Sequence, residues 1–161
     1  MDDVILRPFE ASDKAWLVAE HGTAYARDEG FDDTFGLLVA SILDDFISDH
    51  DPAAERGWMA ERGTGTRLGS IFCVRAGEGS AKLRLFYLTC TARGMGLGQR
   101  MLETCVGFAR DAGYRDLVLW THASHRAACA LYAKNGFELT KSMPVRSFGV
   151  DLEEQAWRLV L

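Results

Sequence analysis

Apolar residues recur along this chain with two periods, and the change from one to the other marks its elements. Residues 4–9 (VILRPF) read as a short strand stopped near Pro8, and Ser12 or Asp13 can cap a helix running to about Asp28. A second helix is predicted from about Asp33 to His50. Its apolar stripe is Phe35, Leu38, Val39, Ile42, Leu43, Phe46 and Ile47, and Asp51-Pro52 ends it. Residues 57–62, 68–76 and 81–89 follow with short glycine turns between them, the pattern of an antiparallel meander. In the next segment Met101, Leu102, Cys105, Val106, Phe108, Ala109 and Ala112 fall on one helical face. Residues 117–121 (LVLWT) read as a buried strand, and residues 125–135 as a short helix that Gly136 stops. Strands at 137–142 and 156–161 complete the chain. The order is strand, two helices, three strands, helix, strand, helix, two strands, which is an α/β (α+β) pattern.

Composition adds bounds rather than detail. The 161 residues are expected to form one domain, long enough to bury a core, and 48% apolar with 25% charged residues is ordinary for a globule. A net charge of −5 and a pI of about 5.3 favour neither nucleic acid nor an anionic membrane as partner. No run approaches the ~18 apolar residues of a membrane span, and the acidic start MDDV is not read as a signal peptide. Cys73, Cys90, Cys105 and Cys129 lack CxxC pairing and metal-ligand spacing, so no metal is expected, and reduced thiols suit a cytoplasmic enzyme.

The candidate chemistry centres on the turn between the third meander strand and the following helix. Arg93, Gly94, Met95, Gly96, Leu97 and Gly98 place alternating glycines where a helix begins. Helix N–H groups without internal partners, backed by the helix dipole, make such a turn a phosphate site. A Walker A loop would need a Gly-Lys-Ser/Thr that is not here. A dinucleotide fingerprint would need Gly or Ala where Gln99 or Met101 stands.

What fits is Arg/Gln-x-x-Gly-x-Gly/Ala, filled by Arg93, Gly96 and Gly98. It resembles the coenzyme A pyrophosphate loop of the GNAT superfamily of N-acetyltransferases. Downstream, Ala128, Leu131, Tyr132, Gly136 and Phe137 fill the A-x-x-L-Y-x-x-x-G-F signature of the same superfamily at the right spacing. Further stretches (EHGTAYARDEGFDDTF, DPAAERGWMAE, KLRLFYL and SFGVDLEEQAWRL) resemble the acetyltransferase domain often fused behind a MarR-type winged-helix regulator; no DNA-binding domain is expected here before residue 1.

That resemblance implies a GNAT fold: a mixed, mostly antiparallel sheet of about seven strands and four helices, splayed between the fourth and fifth strands. It implies acetyl-CoA as co-substrate, with its pantetheine arm against Phe86, Tyr87 and Leu88 and its pyrophosphate on the amides of Met95 to Gln99. The N–H of Phe86 or Leu88 would polarise the thioester carbonyl. Arg93 and Gly94 would shape or charge the loop, with Arg100 nearby. Tyr132 holds the usual general-acid position. Some relatives carry a glutamate base four residues before the oxyanion residue; counted from Phe86 this is Lys82. Others carry a cofactor-binding Asn seven residues before the Tyr; here it is His125. Relatives that pair through their C-terminal strands suggest a homodimer, with residues 147–161 as the surface.

The residues themselves offer an acceptor face. His21, Tyr25 and Glu29 are spaced by four, so one helix stacks them on one side, and His21 is a candidate base with Glu29 to hold an ammonium. His122, after LVLWT, is a second candidate. Cys90 has nothing near it that would make a thiolate nucleophile. The function expected is acetyl transfer to the primary amine of a small molecule by direct attack in a ternary complex. Two alternatives stay open: an acetyltransferase acting on proteins or peptides, and a non-catalytic acyl-CoA sensor.

Overall fold

The computed structural model describes residues 3–63 and 65–161. Its elements run β1 (Val4–Pro8), α1 (Lys14–Glu29), α2 (Thr34–Ser48), β2 (Arg56–Arg62), β3 (Thr66–Gly77), β4 (Ser80–Leu88), α3 (Leu97–Asp111), β5 (Asp116–His122), α4 (Arg126–Lys134), β6 (Glu138–Ser147) and β7 (Val150–Val160). The strands form one seven-stranded sheet in the order β1-β2-β3-β4-β5-β7-β6. Every neighbouring pair is antiparallel except β4 and β5. This is the fold class expected from the sequence, with element order intact.

Two apolar layers flank the sheet. On one face Met101, Leu102, Cys105 and Ala109 of α3 pack on Ile71, Cys73, Ala81, Leu83, Leu117 and Leu119. On the other, Leu17 of α1 and Val39, Leu43 and Phe46 of α2 pack on Met59 and Phe72. The α2 stripe predicted from sequence divides in the structure. Val39, Leu43 and Phe46 are buried, Ile47 is exposed, Leu38 and Ile42 face a cleft, and Phe35 lines that cleft while packing against the edge of the core.

The cleft arises from how β4 pairs. It shares only Ser80↔Asp116, Ala81↔Leu117 and Lys82↔Val118 with β5, after which the two parallel strands part. Against β3, the register passes from Tyr87↔Ser70 to Arg84↔Phe72, so β4 holds one residue too many. Leu85 takes up the excess at φ 48°, and the buried Ser70 hydroxyl donates to its carbonyl at 2.7 Å. The extra residue reverses the strand's faces. Leu83 belongs to the α3-side layer, Leu85 packs on the α1/α2 side, and Phe86 and Leu88 return to the α3 side. Gly69 is needed opposite: a Cβ there would lie 2.2 Å from the Tyr87 carbonyl oxygen.

The last two strands are far longer than the sequence pattern suggests. β6 is almost wholly exposed, so it carries no apolar alternation to read, and as the sheet edge it tolerates Pro144. Its hairpin with β7 turns through Phe148 (φ 55°) and Gly149 (φ 79°), the two left-handed residues of a type I′ turn.

A buried carboxylate anchors the start of α1. Asp13 accepts from both terminal nitrogens of Arg7 (2.8 and 2.9 Å), from Arg67 Nε (2.9 Å) and from the Glu10 N–H (2.8 Å), while Arg7 also pairs with Glu61. Burial by itself would raise the Asp13 pKa, but the hydrogen bonds from Arg7, Glu10 and Arg67 overturn this and hold it at about 2. A carboxyl whose folded pKa is depressed stabilises the fold above its unfolded value and loses that contribution as pH falls through the folded one. Asp13→Asn should therefore cost about 2 kcal/mol at pH 7. It should also flatten the loss of stability between about pH 4 and pH 2 in urea melts.

Candidate active site

Among the described residues, no strand pairs with the cleft-side backbone of β4 beyond Lys82. The Thr89 N–H bonds the Leu68 carbonyl at 2.8 Å, toward β3. Backbone groups alternate sides along a strand, so Tyr87 also points to β3, and the N–H groups of Phe86 and Leu88 point into the gap where β5 has departed. These are the two donors expected from the sequence for a thioester carbonyl. The gap widens into a cleft of about 730 Å³. His21, Tyr25, Glu29, Phe86, Tyr87, Leu88, Arg93, Gly98, His122, His125 and Tyr132 all line it.

The glycine turn lies at the end of β4. Gly94 (φ 78°) and Gly96 (φ 75°) are left-handed, and α3 starts at Leu97. Its first helical bond runs from the Arg100 N–H to the Gly96 carbonyl, which leaves the N–H groups of Leu97, Gly98 and Gln99 as the open donors of the helix end. The side chains at this loop have other tasks. Leu97 is buried in the core, and the Gln99 amide exchanges hydrogen bonds with Asn135 (2.7 and 2.9 Å). Arg100 turns away to the Val4 carbonyl (2.7 Å), and exposed Met95 lies by Arg62. Gly94, Met95, Gly96, Leu97 and Gln99 thus stand outside the cleft lining, with backbone amides as what Leu97 and Gln99 can offer. Among the described residues the structure brings no three His, Cys, Asp or Glu side chains together in metal-holding array.

The opposite wall is imidazole-rich. His21 is buried and its Nδ1 donates to the Leu17 carbonyl at 2.8 Å, which fixes the tautomer and makes Nε2 an acceptor. Burial pushes its pKa down to about 4, so it is a weak base for an ammonium near neutral pH. On this point the structure disfavours the base role expected for His21. His125 holds Thr121 Oγ1 at Nδ1 (3.2 Å) and faces Glu29 Oε1 at Nε2 (3.3 Å), within ion-pair distance but without hydrogen-bond alignment. Its ring lies 5.3 Å from Tyr25 and 5.5 Å from His122. Burial lowers the pKa of both His122 and His125, and Glu29 opposes the shift in each. Among the described residues, three buried nitrogens of this wall, His21 Nε2, His122 Nδ1 and His125 Nε2, have no hydrogen-bond partner. Buried polar atoms are nearly always satisfied, so these three orphans along one cleft are left for water or a polar ligand to satisfy.

Tyr132 sits on α4 with its ring 6.4 Å from Phe86, and burial raises its pKa, which keeps the phenol protonated. Two contributors escaped sequence reasoning. Phe148, at the β6–β7 turn, lies tilted against Phe31 (4.8 Å) and edge-on to Phe35 (5.0 Å), while the Asp32 N–H donates to its carbonyl (2.9 Å). That contact brings into the cleft wall a segment more than a hundred residues distant from α1 in sequence, for which no local signal exists. Arg84 was hidden because alternation with Leu83 gives its face of β4 but not that this face lines a cleft.

The sequence model of the acetyltransferase (GNAT) family matches residues 15–137. The chain belongs to this family. GNAT relatives include N-acetyltransferase 8B of Rattus norvegicus, 32% identical over 127 residues, which cover 76% of this chain and 52% of that protein. The chain spans about half the length of the curated relatives it matches. A putative acetyltransferase from Acinetobacter baylyi superposes with a TM-score of 0.80 at 15% identity, over 100% of this chain and 93% of the other. A second, from Salmonella typhimurium and solved with its cofactor acetyl-CoA, gives 0.77 at 18% identity over 98% and 94%.

The Glu29–His125 contact is open to direct measurement. Because the carboxylate raises the His125 pKa against burial, Glu29→Gln should lower that pKa further. The His125 imidazole titration followed by NMR should move to lower pH, and an unmoved midpoint would detach Glu29 from His125.

Proposed function

We propose that this GNAT protein is an acetyl-CoA-dependent N-acetyltransferase acting on the primary amine of a small molecule by direct attack in a ternary complex. The orphan imidazole nitrogens of His21, His122 and His125 along the cleft carry this reading, because a primary amine brings several N–H donors that such acceptors can take. Phe148 in the cleft wall, its carbonyl tied to the Asp32 N–H, narrows the acceptor side and favours a small molecule over an extended peptide. Residues 1–161 act in this reading as one domain, and free thiols suit a reducing compartment such as the cytoplasm. A homodimer belongs to the same reading, through the open β6 edge rather than residues 147–161 as expected, because β7 lies between β5 and β6 and has no free edge; so does kinship with the domain fused to MarR-type regulators.

Acetyl-CoA fits the residues present: open helix N–H groups at Leu97–Gln99 suit its pyrophosphate, and the free edge of β4 suits pantetheine amides. As co-substrate it supplies an activated acyl group on sulfur. The Phe86 or Leu88 N–H donates to the acyl oxygen as charge develops there. His122, whose pKa Glu154 and Glu29 raise against burial, takes the proton of the acceptor ammonium, directly or through water, with His21 Nε2 accepting a further N–H and His125 left toward the cofactor. The amine nitrogen bonds to the acyl carbon and the carbon–sulfur bond breaks; Tyr132 gives its proton to the departing sulfur and recovers one from the second N–H that the nitrogen sheds on becoming an amide.

Thiol release across a panel of amines, with acetyl-CoA binding measured in parallel, tests the reading. Tyr132→Phe should lower kcat by about 10²–10⁴ with little change in acetyl-CoA affinity. Unchanged turnover would remove Tyr132 as the acid. Acetyl-CoA binding with no release on any amine would favour the sensor alternative.

A further inference from the structure

The floor of the acceptor side carries two cations that the transfer chemistry leaves unused. In the β3–β4 register Lys82 stands opposite Val74 and Arg84 opposite Phe72. Directly opposed residues share a face of the sheet, and Phe72 and Val74 belong to the α1/α2 layer. Both cations therefore project toward α1 and α2, where they line the cleft. Among the described residues, no hydrogen bond or ion pair engages either head group; Asp45 and Glu154 act on them only at longer range. Burial lowers the pKa of both, the mark of charges short of compensation. Phe35, Leu38 and Ile42 form the apolar wall beside them.

Their level in the cleft separates them from the cofactor. Arg84 and Lys82 lie four and six residues before Leu88, roughly 13 and 20 Å along an extended strand. The glycine turn follows Leu88, so these cations are remote from the pyrophosphate end. Because β4 and β5 are parallel with Lys82 opposite Val118, His122 falls near the level of Phe86, and Arg84 lies two residues deeper. An acceptor standing in this cleft thus meets imidazole nitrogens at the acyl level and a guanidinium with a lysine beneath. A guanidinium fork matches a carboxylate in a bidentate manner.

We propose that the acceptor is an amine bearing its own carboxylate, of the apolar α-amino-acid class. Arg84 and Lys82 hold the carboxylate, the imidazole wall takes the amine, and Phe35, Leu38 and Ile42 receive the side chain. The proposal rests on the transferase reading for its chemistry, but the cation site can be tested apart from turnover.

The test is calorimetric binding to the coenzyme A-saturated protein of two matched pairs: N-acetylphenylalanine against N-acetylphenethylamine, and N-acetylleucine against N-acetylisopentylamine. The free amines of the same pairs are then assayed for thiol release with acetyl-CoA. The carboxylate member of each pair should bind, and react, about 10- to 100-fold better, the scale of a hydrogen-bonded charge pair. Arg84→Gln and Lys82→Met should bring the two members of each pair to equal affinity, whereas Arg84→Lys should keep part of the preference. Thermal melts identify any variant that fails to fold, and the paired wild-type comparison stands without the variants. Equal binding within pairs, or no binding by either member, overturns the carboxylate site. Carboxylate-selective binding without thiol release supports the site and overturns the transferase reading instead.

Discussion

Two parallel strands that share three residue pairs and then part are the constraint on which everything else here depends. Had β4 stayed paired with β5 along its length, the N–H groups of Phe86 and Leu88 would be spent in a ladder and no cleft would exist. Parting exposes polar backbone inside the molecule, where it is costly unless a ligand or water satisfies it. The bulge at Leu85 makes the parting useful. By inserting one residue, held by the Ser70 hydroxyl, it aims Lys82 and Arg84 at one face and Phe86 and Leu88 at the other.

Around this gap the structure accumulates local penalties that ordinary packing avoids. Phe148 sits at φ 55°, a conformation costing a non-glycine residue about 1–2 kcal/mol. Its ring and carbonyl lock the β6–β7 turn onto Phe31 and Asp32 in the cleft wall, which offsets the strain. Among the described residues, histidines are buried with nitrogens unmatched, and two half-buried cations have carboxylates only at longer range. Such features cluster where binding, rather than folding, sets the requirement. Away from the cleft the same chain is conventionally satisfied, as the four donors around Asp13 illustrate.

Much of the architecture was legible because it depends on local periodicity. The α3 stripe, the glycine turn with its left-handed residues, and Tyr132 ahead of Gly136 each sit within a short window of sequence. The length of β6 and β7 was not legible, since an exposed edge strand has no apolar rhythm and residues 150–155 are mostly polar. The α2 stripe was read as one core face, but Phe35, Leu38 and Ile42 turn to the cleft. Helical period reports which residues share a side, not what that side meets.

The sequence by itself determined the order of elements, the helix-start amides above the glycine turn and the family. Those features follow from near-neighbour sterics, capping and a spaced motif. Only the tertiary structure decided the environment of each titratable group. His21 became a buried weak base because its ring is desolvated beside Tyr87, which outweighs the opposing hydrogen bond to the Leu17 carbonyl, and His125 came to face Glu29 across two helices. The face taken by Phe86 and the place of Phe148 in the cleft wall were likewise set by one extra residue in β4 and by a distant turn. Desolvation and facing are properties of the space between elements, and no window along the chain contains that space.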